Sequence, residues 1–310
     1  MLLSSILLIP IALYTSFVFG INNSGLSTGS LLASGFSYKK GIALTGVGFV
    51  AGALLEGWKM GGTFHSLTSS STMSVLVVTL IITAITFSIF SFLGLPISLV
   101  NVLIGSYVGA SLANGLIINF TYMNLLALSW IALPFIAAIA TIGTYKLTVR
   151  LLSNVSPVGI GMFHLVTIPI IVFYTAYSLG ANNIGLLYHI SLWEEQSIHL
   201  LILTLLPIAS FFGVMKSGKT SIFVSEGVVG HSPLTIFSSL LVGAILIWIF
   251  TQAAIPVSLA QVLIGGLIGV NLYRKPRTYN RSALLKLIGS WVGVTLASFV
   301  AALGLGFLVS

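Results

Sequence analysis

Long apolar runs fill the chain from end to end, separated by short polar stretches. A helix needs about 20 apolar residues to cross the hydrocarbon of a bilayer, and ten segments approach that length. In the first part of the chain they are 2–19, 41–55, 73–93, 97–113 and 124–145; in the second they are 158–179, 198–214, 233–254, 257–272 and 284–308. Two further stretches, 22–37 and 182–192, are too short to cross comfortably and too polar to face lipid. The pattern predicts that they are re-entrant, lying against protein or a watery cavity and returning to the side they came from.

Composition turns this pattern into a class. Of 310 residues, 57% are hydrophobic and 5% charged, against roughly 25% charged in soluble domains, and the mean hydropathy is +1.15. The chain reads as an integral membrane protein with no soluble domain of useful size, which excludes a soluble enzyme. Segment 2–19 has no basic flank and no small-residue cleavage pattern, so it reads as a retained helix rather than a signal peptide. Cysteine is absent, which removes disulfides and thiolate metal sites. A net charge of +8 in such a chain describes topological anchors rather than a nucleic-acid surface. Aspartate is missing altogether; the carboxylates are Glu56, Glu194, Glu195 and Glu226.

A shift of 160 positions aligns "GINNSGL" (20–26) with "GANNIGL" (180–186), and the same shift aligns "PISLVNVLIGSYVG" (96–109) with "PVSLAQVLIGGLIG" (256–269). Two motifs agreeing on one offset divide the chain into a first transmembrane repeat, 1–150, and a second, 151–310, an organisation common among transporters. Five crossings per repeat is an odd number, so the second repeat is predicted to be inverted. Loop charge tests this independently. With Arg274, Lys275, Arg277, Arg281 and Lys286 in the cytoplasm, counting crossings puts Lys39, Lys40, Lys146, Arg150, Lys216 and Lys219 there too. Lys59, Glu194, Glu195 and both termini fall outside. The expected fold is an all-α polytopic membrane protein of two inverted-topology repeats with re-entrant and broken helices.

Four interruptions recur at equivalent places: "GINNSG", "GANNIG", "LPIS" and "IPVS". Pro96 and Pro256 cannot donate a backbone hydrogen bond. Each is followed two residues later by a serine, Ser98 or Ser258, and then by an apolar helix. Each reads as the start of a half-helix with a serine N-cap, where free N–H groups and about half a positive charge favour an anion without lysine or arginine. A buried anion that must leave again is better served by several neutral donors, each worth roughly 1.5–3 kcal/mol to a charged ligand, than by a fixed charge. Among the histidines only His189, on the second polar stretch, is a functional candidate. No pattern resembles a metal site, a P-loop, a nucleophile with its base, or paired catalytic carboxylates.

At these residues the sequence resembles the inorganic phosphate transporter (PiT) family, which includes sulfate permeases. That family carries two copies of a "GANDVANA" type motif, each followed by a "P-[IV]-S-T-T-[HQ]" type motif, in two inverted halves. Here they become "GINNSGLS", "GANNIGLL", "PISLVN" and "PVSLAQ", and Ser34–Gly35 lies where the family's "GSG" follows its first motif. Asn22, Asn182, Ser98, Ser258 and Gln261 match, and Asn101 stands where His or Gln is usual. The signature aspartates are replaced by Asn23 and Asn183, the later asparagines by Leu26 and Leu186, and the paired threonines by Leu99, Val100, Leu259 and Ala260. The resemblance implies a secondary transporter of a small oxyanion, phosphate or else sulfate, working by alternating access. Its substrate-binding set would be Asn22, Asn23, Ser24, Ser98, Asn101, Asn182, Asn183, Ser258 and Gln261, with no cofactor and with Na+ or H+ as coupling ion. Loss of both aspartates weakens the case for Na+, a hard cation that wants charged oxygen ligands. The partners implied are an inorganic anion and the lipid bilayer of the cell membrane, with a homo-oligomer allowed and no role for nucleic acid. A non-transporting scaffold or receptor on a decayed transporter fold stays open, as does a permease with no coupling ion.

Overall fold

Within lipid a backbone can satisfy its own N–H and C=O groups only in helices or closed barrels, and this chain takes the helical solution. The computed structural model describes residues 2–68, 70–191, 199–228, 232–274 and 281–309, and among them the only bridge between extended segments is an isolated one, Thr68 to Ile118. The first half comprises α1 (Leu2–Ala33), α2 (Tyr38–Glu56), α3 (Gly62–Leu67), α4 (Met73–Phe92), α5 (Leu99–Ala113) and α6 (Phe120–Leu152). The second comprises α7 (Pro157–Leu179), α8 (Gly185–Ser191), α9 (His199–Val214), α10 (Gly218–Phe223), α11 (Pro233–Gln252), α12 (Leu259–Arg274) and α13 (Arg281–Val309). Glu194, Glu195, Lys275, Arg277, His231 and the end of the predicted stretch at Leu192 lie outside the described residues.

Among the described residues, six helical stretches are long and apolar enough to cross a membrane: Tyr38–Leu67, Met73–Phe92, Phe120–Leu152, Pro157–Ser191, Pro233–Gln252 and Trp291–Val309. His199–Val214 and Gly218–Glu226 make a seventh if taken together, bent by 62° at their junction. The chain is a multi-pass membrane protein. Helices α5 and α12, counted as crossings from the sequence, have only 15 and 16 residues. Each is preceded by an extended segment, and they are the broken elements of the fold.

The polar stretches differ from expectation. Residues 22–37 do not form a separate re-entrant segment, because α1 runs unbroken for 32 residues through "GINNSG". Three of its hydroxyls bond within the helix, Ser24 donating to the Gly20 carbonyl, Ser30 to Leu26 and Ser34 to Ser30, the i−4 bonding that lets serine persist in an apolar helix; Thr28 donates across to Thr45 of α2, and Ser27 Oγ is buried without a partner. The chain turns only at Gly35, whose φ of 86° suits glycine. Residues 182–191 likewise continue α7, through a π-type turn at Gly180–Ile184 into α8. Of the four expected interruptions, only the two proline ones break the helical path.

The two halves pack crosswise. α1 lies on α9 and α10, α2 on α7, α13 on α5 and α12 on α6. Glycine makes the closest crossings: a Cβ on Gly20 would collide with the Ser210 carbonyl, one on Gly213 with Phe17, one on Gly52 with Tyr177 and one on Gly180 with Phe49. Small residues at helix crossings let backbones approach where the hydrophobic effect offers no drive between helices.

Candidate functional site

Both breaks are built the same way. The turn after α4 places Gly94 at φ 72°, and the Leu95 N–H returns to the Phe90 carbonyl at 3.0 Å; the turn after α11 places Ala254 at φ 54°, and the Ile255 N–H returns to the Phe250 carbonyl at 2.9 Å. The extended residues that follow are held by an asparagine from the first helix of the same half. Asn22 Oδ1 accepts from the Ile97 N–H at 2.7 Å, while its Nδ2 donates to the Leu95 carbonyl at 2.9 Å and to Ser91 Oγ at 3.2 Å. Asn182 repeats the pattern: Oδ1 accepts from the Val257 N–H at 3.1 Å, and Nδ2 donates to the Ile255 carbonyl at 3.2 Å and to Thr251 Oγ1 at 3.0 Å. Proline leaves a neighbouring peptide with no helical partner, and a side-chain amide, one acceptor beside two donors, fits that vacancy. Asn22 and Asn182 thus engage both donors and the acceptor in architecture.

The remaining candidates divide differently. Ser98 caps α5, accepting from the Asn101 N–H at 3.3 Å and donating to Asn101 Oδ1 at 2.9 Å, while Asn101 Nδ2 donates to the Trp291 carbonyl at 3.2 Å. Their counterparts Ser258 and Gln261 are 3% and 4% exposed, and Ser258 Oγ and Gln261 Oε1 have no partner. Asn23 and Asn183 are 4% and 2% exposed, and both Nδ2 groups are unpartnered. Such atoms cost about 1–3 kcal/mol each when left so, and for Asn23 and Asn183 the same amide donor is left over at matching places in both halves. They sit on α1 and on the turn after α7, helices that touch one another.

Asn101 and Gln261, equivalent residues of the two halves, line one cavity of about 640 Å3 with Trp130, Pro134, Trp291 and Thr295. Asn22, Asn23, Ser24, Asn182 and Asn183 are not among its lining. Among the described residues no group of three or more His, Asp or Glu could hold a metal ion. His189 places Nε2 3.1 Å from the Trp58 carbonyl and fixes α8 to the 57–61 turn.

One cluster was not singled out from the sequence. Glu56 accepts from Tyr177 Oη at 2.7 Å, Trp248 Nε1 at 3.2 Å, Gln252 Nε2 at 2.8 Å and Lys59 Nζ at 3.0 Å, joining α2 of the first half to α7 and α11 of the second. The signal was available: a carboxylate in an apolar span is a site by default and needs a partner.

No family model matches the chain. A protein of Methanocaldococcus jannaschii, provisionally named a phosphate permease, is 26% identical over 97% of this chain and 95% of its own. A solved structure described as "the sodium-dependent phosphate transporter" superposes with a TM-score of 0.87 over 99% of this chain and 98% of that one, at 15% identity. In sequence and in fold, along almost its whole length, the chain resembles the inorganic phosphate transporter family.

Proposed function

We propose that the chain is a secondary transporter of a small tetrahedral oxyanion, inorganic phosphate first, working by alternating access between two inverted halves with both termini outside the cell membrane. The observation that carries this reading is the set of buried, uncharged, unpartnered groups at Asn23, Asn183, Ser258 and Gln261, at positions where the family resemblance implies substrate binding. Phosphate is favoured by the name of the relative that matches almost the whole chain. Asn22 and Asn182 act as positioning residues, and so does Ser98.

Sulfate is the second reading, favoured by the side chains at 23 and 183. Their unpartnered atoms are donors. Sulfate carries no proton and accepts throughout, whereas phosphate near neutral pH carries one and gains from an acceptor. An amide also lacks the negative charge that would hold a sodium ion, so the coupling ion here is H+ or weakly required Na+. The test is uptake of labelled phosphate and sulfate into proteoliposomes under imposed sodium or proton gradients, repeated with Asn23→Asp and Asn183→Asp together. The expected result is weak sodium dependence that steepens in the double variant. A steep sodium requirement unaltered by the substitutions would place coupling elsewhere, and no uptake of either anion would remove the transport reading.

A further inference from the structure

The cavity beside Asn101 and Gln261 opens toward lipid. Its walls come from α5, α6, α12 and α13 and include no lysine, arginine or histidine. On its rim Ile131, Phe135, Leu272, Val292 and Leu296 are all exposed and apolar. Phe120–Leu152 and Trp291–Val309 are long and apolar enough to cross the bilayer, so this rim meets acyl chains and the cavity is a lateral groove. Helices α6 and α12 run side by side in one direction: Gly265 faces Pro134, Gly269 faces Ala138, and Tyr273 meets Tyr145 edge-on with ring centroids 6.5 Å apart. The groove follows α12 from Gln261 to Leu272, about 16 Å of helix at about 1.5 Å per residue. Half of a hydrocarbon core about 30 Å thick is about 15 Å, so the groove is as long as one leaflet is deep.

At the Leu272 end the chemistry changes. Tyr273 and Arg274 follow on α12, and Tyr145 and Lys146 stand beside them on α6. Lys146 Nζ lies 4.4 Å from the Tyr273 ring centroid, and Arg274 Cζ lies 5.5 Å from that of Tyr145. Each cation thus rests on a ring that the other helix supplies. Arg274 also donates to Ser232 Oγ at 3.3 Å, and Arg150 lies one turn beyond Lys146 on α6. Lys146, Arg150 and Arg274 are exposed, and the only ion pair among the described residues is elsewhere, between Lys59 and Glu56. Three positive charges therefore stand unneutralised at the mouth of an apolar groove one leaflet long. The two tyrosines mark the level where amphipathic rings meet lipid headgroups. The sidedness proposed above makes this end cytoplasmic, and the cytoplasmic leaflet is the one that carries anionic lipid.

We propose that the groove between α6, α12 and α13, with the cationic cluster at its end, binds an anionic phospholipid. One acyl chain lies along the groove from Leu272 toward Gln261, and the phosphodiester lies against Lys146 and Arg274. A free inorganic anion has nothing to place in the groove, and a lipid without net charge leaves the cations unneutralised. The volume of about 640 Å3, at about 30 Å3 per water-sized group, takes roughly twenty heavy atoms, enough for one acyl chain. Both cations are exposed on long stems, so the headgroup is drawn by their summed charge and needs no preformed pair of atoms. The proposal does not rest on the transport reading, because its test reads lipid binding alone. Nor does the test rest on sidedness, since the two leaflets of a nanodisc are alike.

The experiment uses the full chain in phosphatidylcholine nanodiscs and follows tryptophan fluorescence. Phosphatidylglycerol or phosphatidylcholine with brominated acyl chains is added at matched mole fraction. Trp130 and Trp291 line the groove, so a brominated chain held there quenches at short range. The expected result is saturable quenching by phosphatidylglycerol, with an apparent affinity about fivefold or more above that of phosphatidylcholine. Lys146→Gln with Arg274→Gln should remove most of that preference, whereas Lys39→Gln with Lys40→Gln, an exposed cationic pair elsewhere, should leave it intact. Lys146→Gln alone serves where the double variant does not fold, and should lower the preference about twofold. Val292→Phe with Leu296→Phe narrows the groove at exposed rim positions and should weaken phosphatidylglycerol quenching with the cations untouched. Equal quenching by both lipids would mean ordinary lipid contact and overturn the proposal. So would a preference that survives loss of Lys146 and Arg274, or one that falls equally in the Lys39 and Lys40 variant, which would reflect surface potential alone. Displacement of the brominated lipid by millimolar inorganic phosphate would make this an anion site without a chain. No quenching by either lipid would mean that a second copy of the chain covers the groove, and either result would overturn the proposal as well.

Discussion

The breaks at 93–98 and 253–258 share a backbone and differ in their side chains. In both, an asparagine from the preceding long helix satisfies the residues around the proline through the same three bonds. Beyond that point they diverge. The first closes on itself, with Ser98 bonded to Asn101 and Asn101 to α13; the second leaves Ser258 Oγ and Gln261 Oε1 without partners. At the two proline breaks, what is common is therefore architecture and what differs is which polar atoms are left over, while the adjoining Asn23 and Asn183 keep an unpartnered donor in both halves. Matching motifs within one chain mark the scaffold at least as strongly as the site.

The largest effect that would test this comparison is at the shared asparagines. Asn22→Leu strands the Ile97 N–H, the Leu95 carbonyl and the Ser91 hydroxyl in a buried place, at about 1–3 kcal/mol each, and Asn182→Leu does the same in the other half. Both should lower membrane abundance and thermal stability by roughly equal, large amounts, about 3 kcal/mol or more, whether or not substrate is present. A variant that stays as stable as the parent and loses only anion binding would make Asn22 a ligand and reverse the assignment. The two serines come next. Ser98→Ala should cost about 0.5–2 kcal/mol as a lost cap, read by thermal unfolding in detergent. Ser258→Ala should leave stability nearly unchanged and reduce uptake instead. If the costs fall the other way round, the free and the closed break have been exchanged.

The smallest effect lies at the turns. Gly94 and Ala254 occupy the same left-handed conformation, and Ala254 is retained there while its carbonyl accepts from Thr63 Oγ1 and from Tyr122 Oη, each at 3.0 Å. A side chain in that conformation costs about 1–2 kcal/mol, and glycine returns part of the gain as unfolded-state entropy. Ala254→Gly should therefore raise stability by about 0.5–1 kcal/mol and Gly94→Ala lower it by about 1 kcal/mol, measured side by side in the same detergent. Equal and opposite shifts of that size would show that the breaks are energetically interchangeable at the backbone.

Much of the helical layout was legible in the sequence because hydropathy sets it locally. The segment read as 73–93 is α4, and 124–145 lies inside α6. The offset of 160 was legible too, since the three asparagine bonds recur in both halves at it. What local pattern could not show was continuity. "GINNSG" reads as a break, yet Ser24 bonds within the helix and Gly20 meets Ser210 across it, and only the second of these facts involves distant sequence. The Glu56 cluster was hidden for the same reason, its partners Tyr177, Trp248 and Gln252 lying 121, 192 and 196 residues away. Of the candidate site, the residue types were legible and their division into bonded and free atoms was not. That division depends on which partner each side chain finds after packing.

The crosswise packing has a consequence for how the protein is made. Gly20 and Gly52 face backbones that belong to the second half, so when residue 150 leaves the ribosome the first half holds its closest helix crossings open. Synthesis of the remainder takes roughly 8–30 s at about 5–20 residues per second. For that time the glycine faces of α1 and α2 and the flanks of α5 and α6 meet lipid or the insertion machinery instead of their partners. The first half is thus an insertion intermediate with a lifetime set by translation. The cell handles a half-built bundle whose missing wall arrives last, since α13, the partner of α5, is the final helix of the described chain.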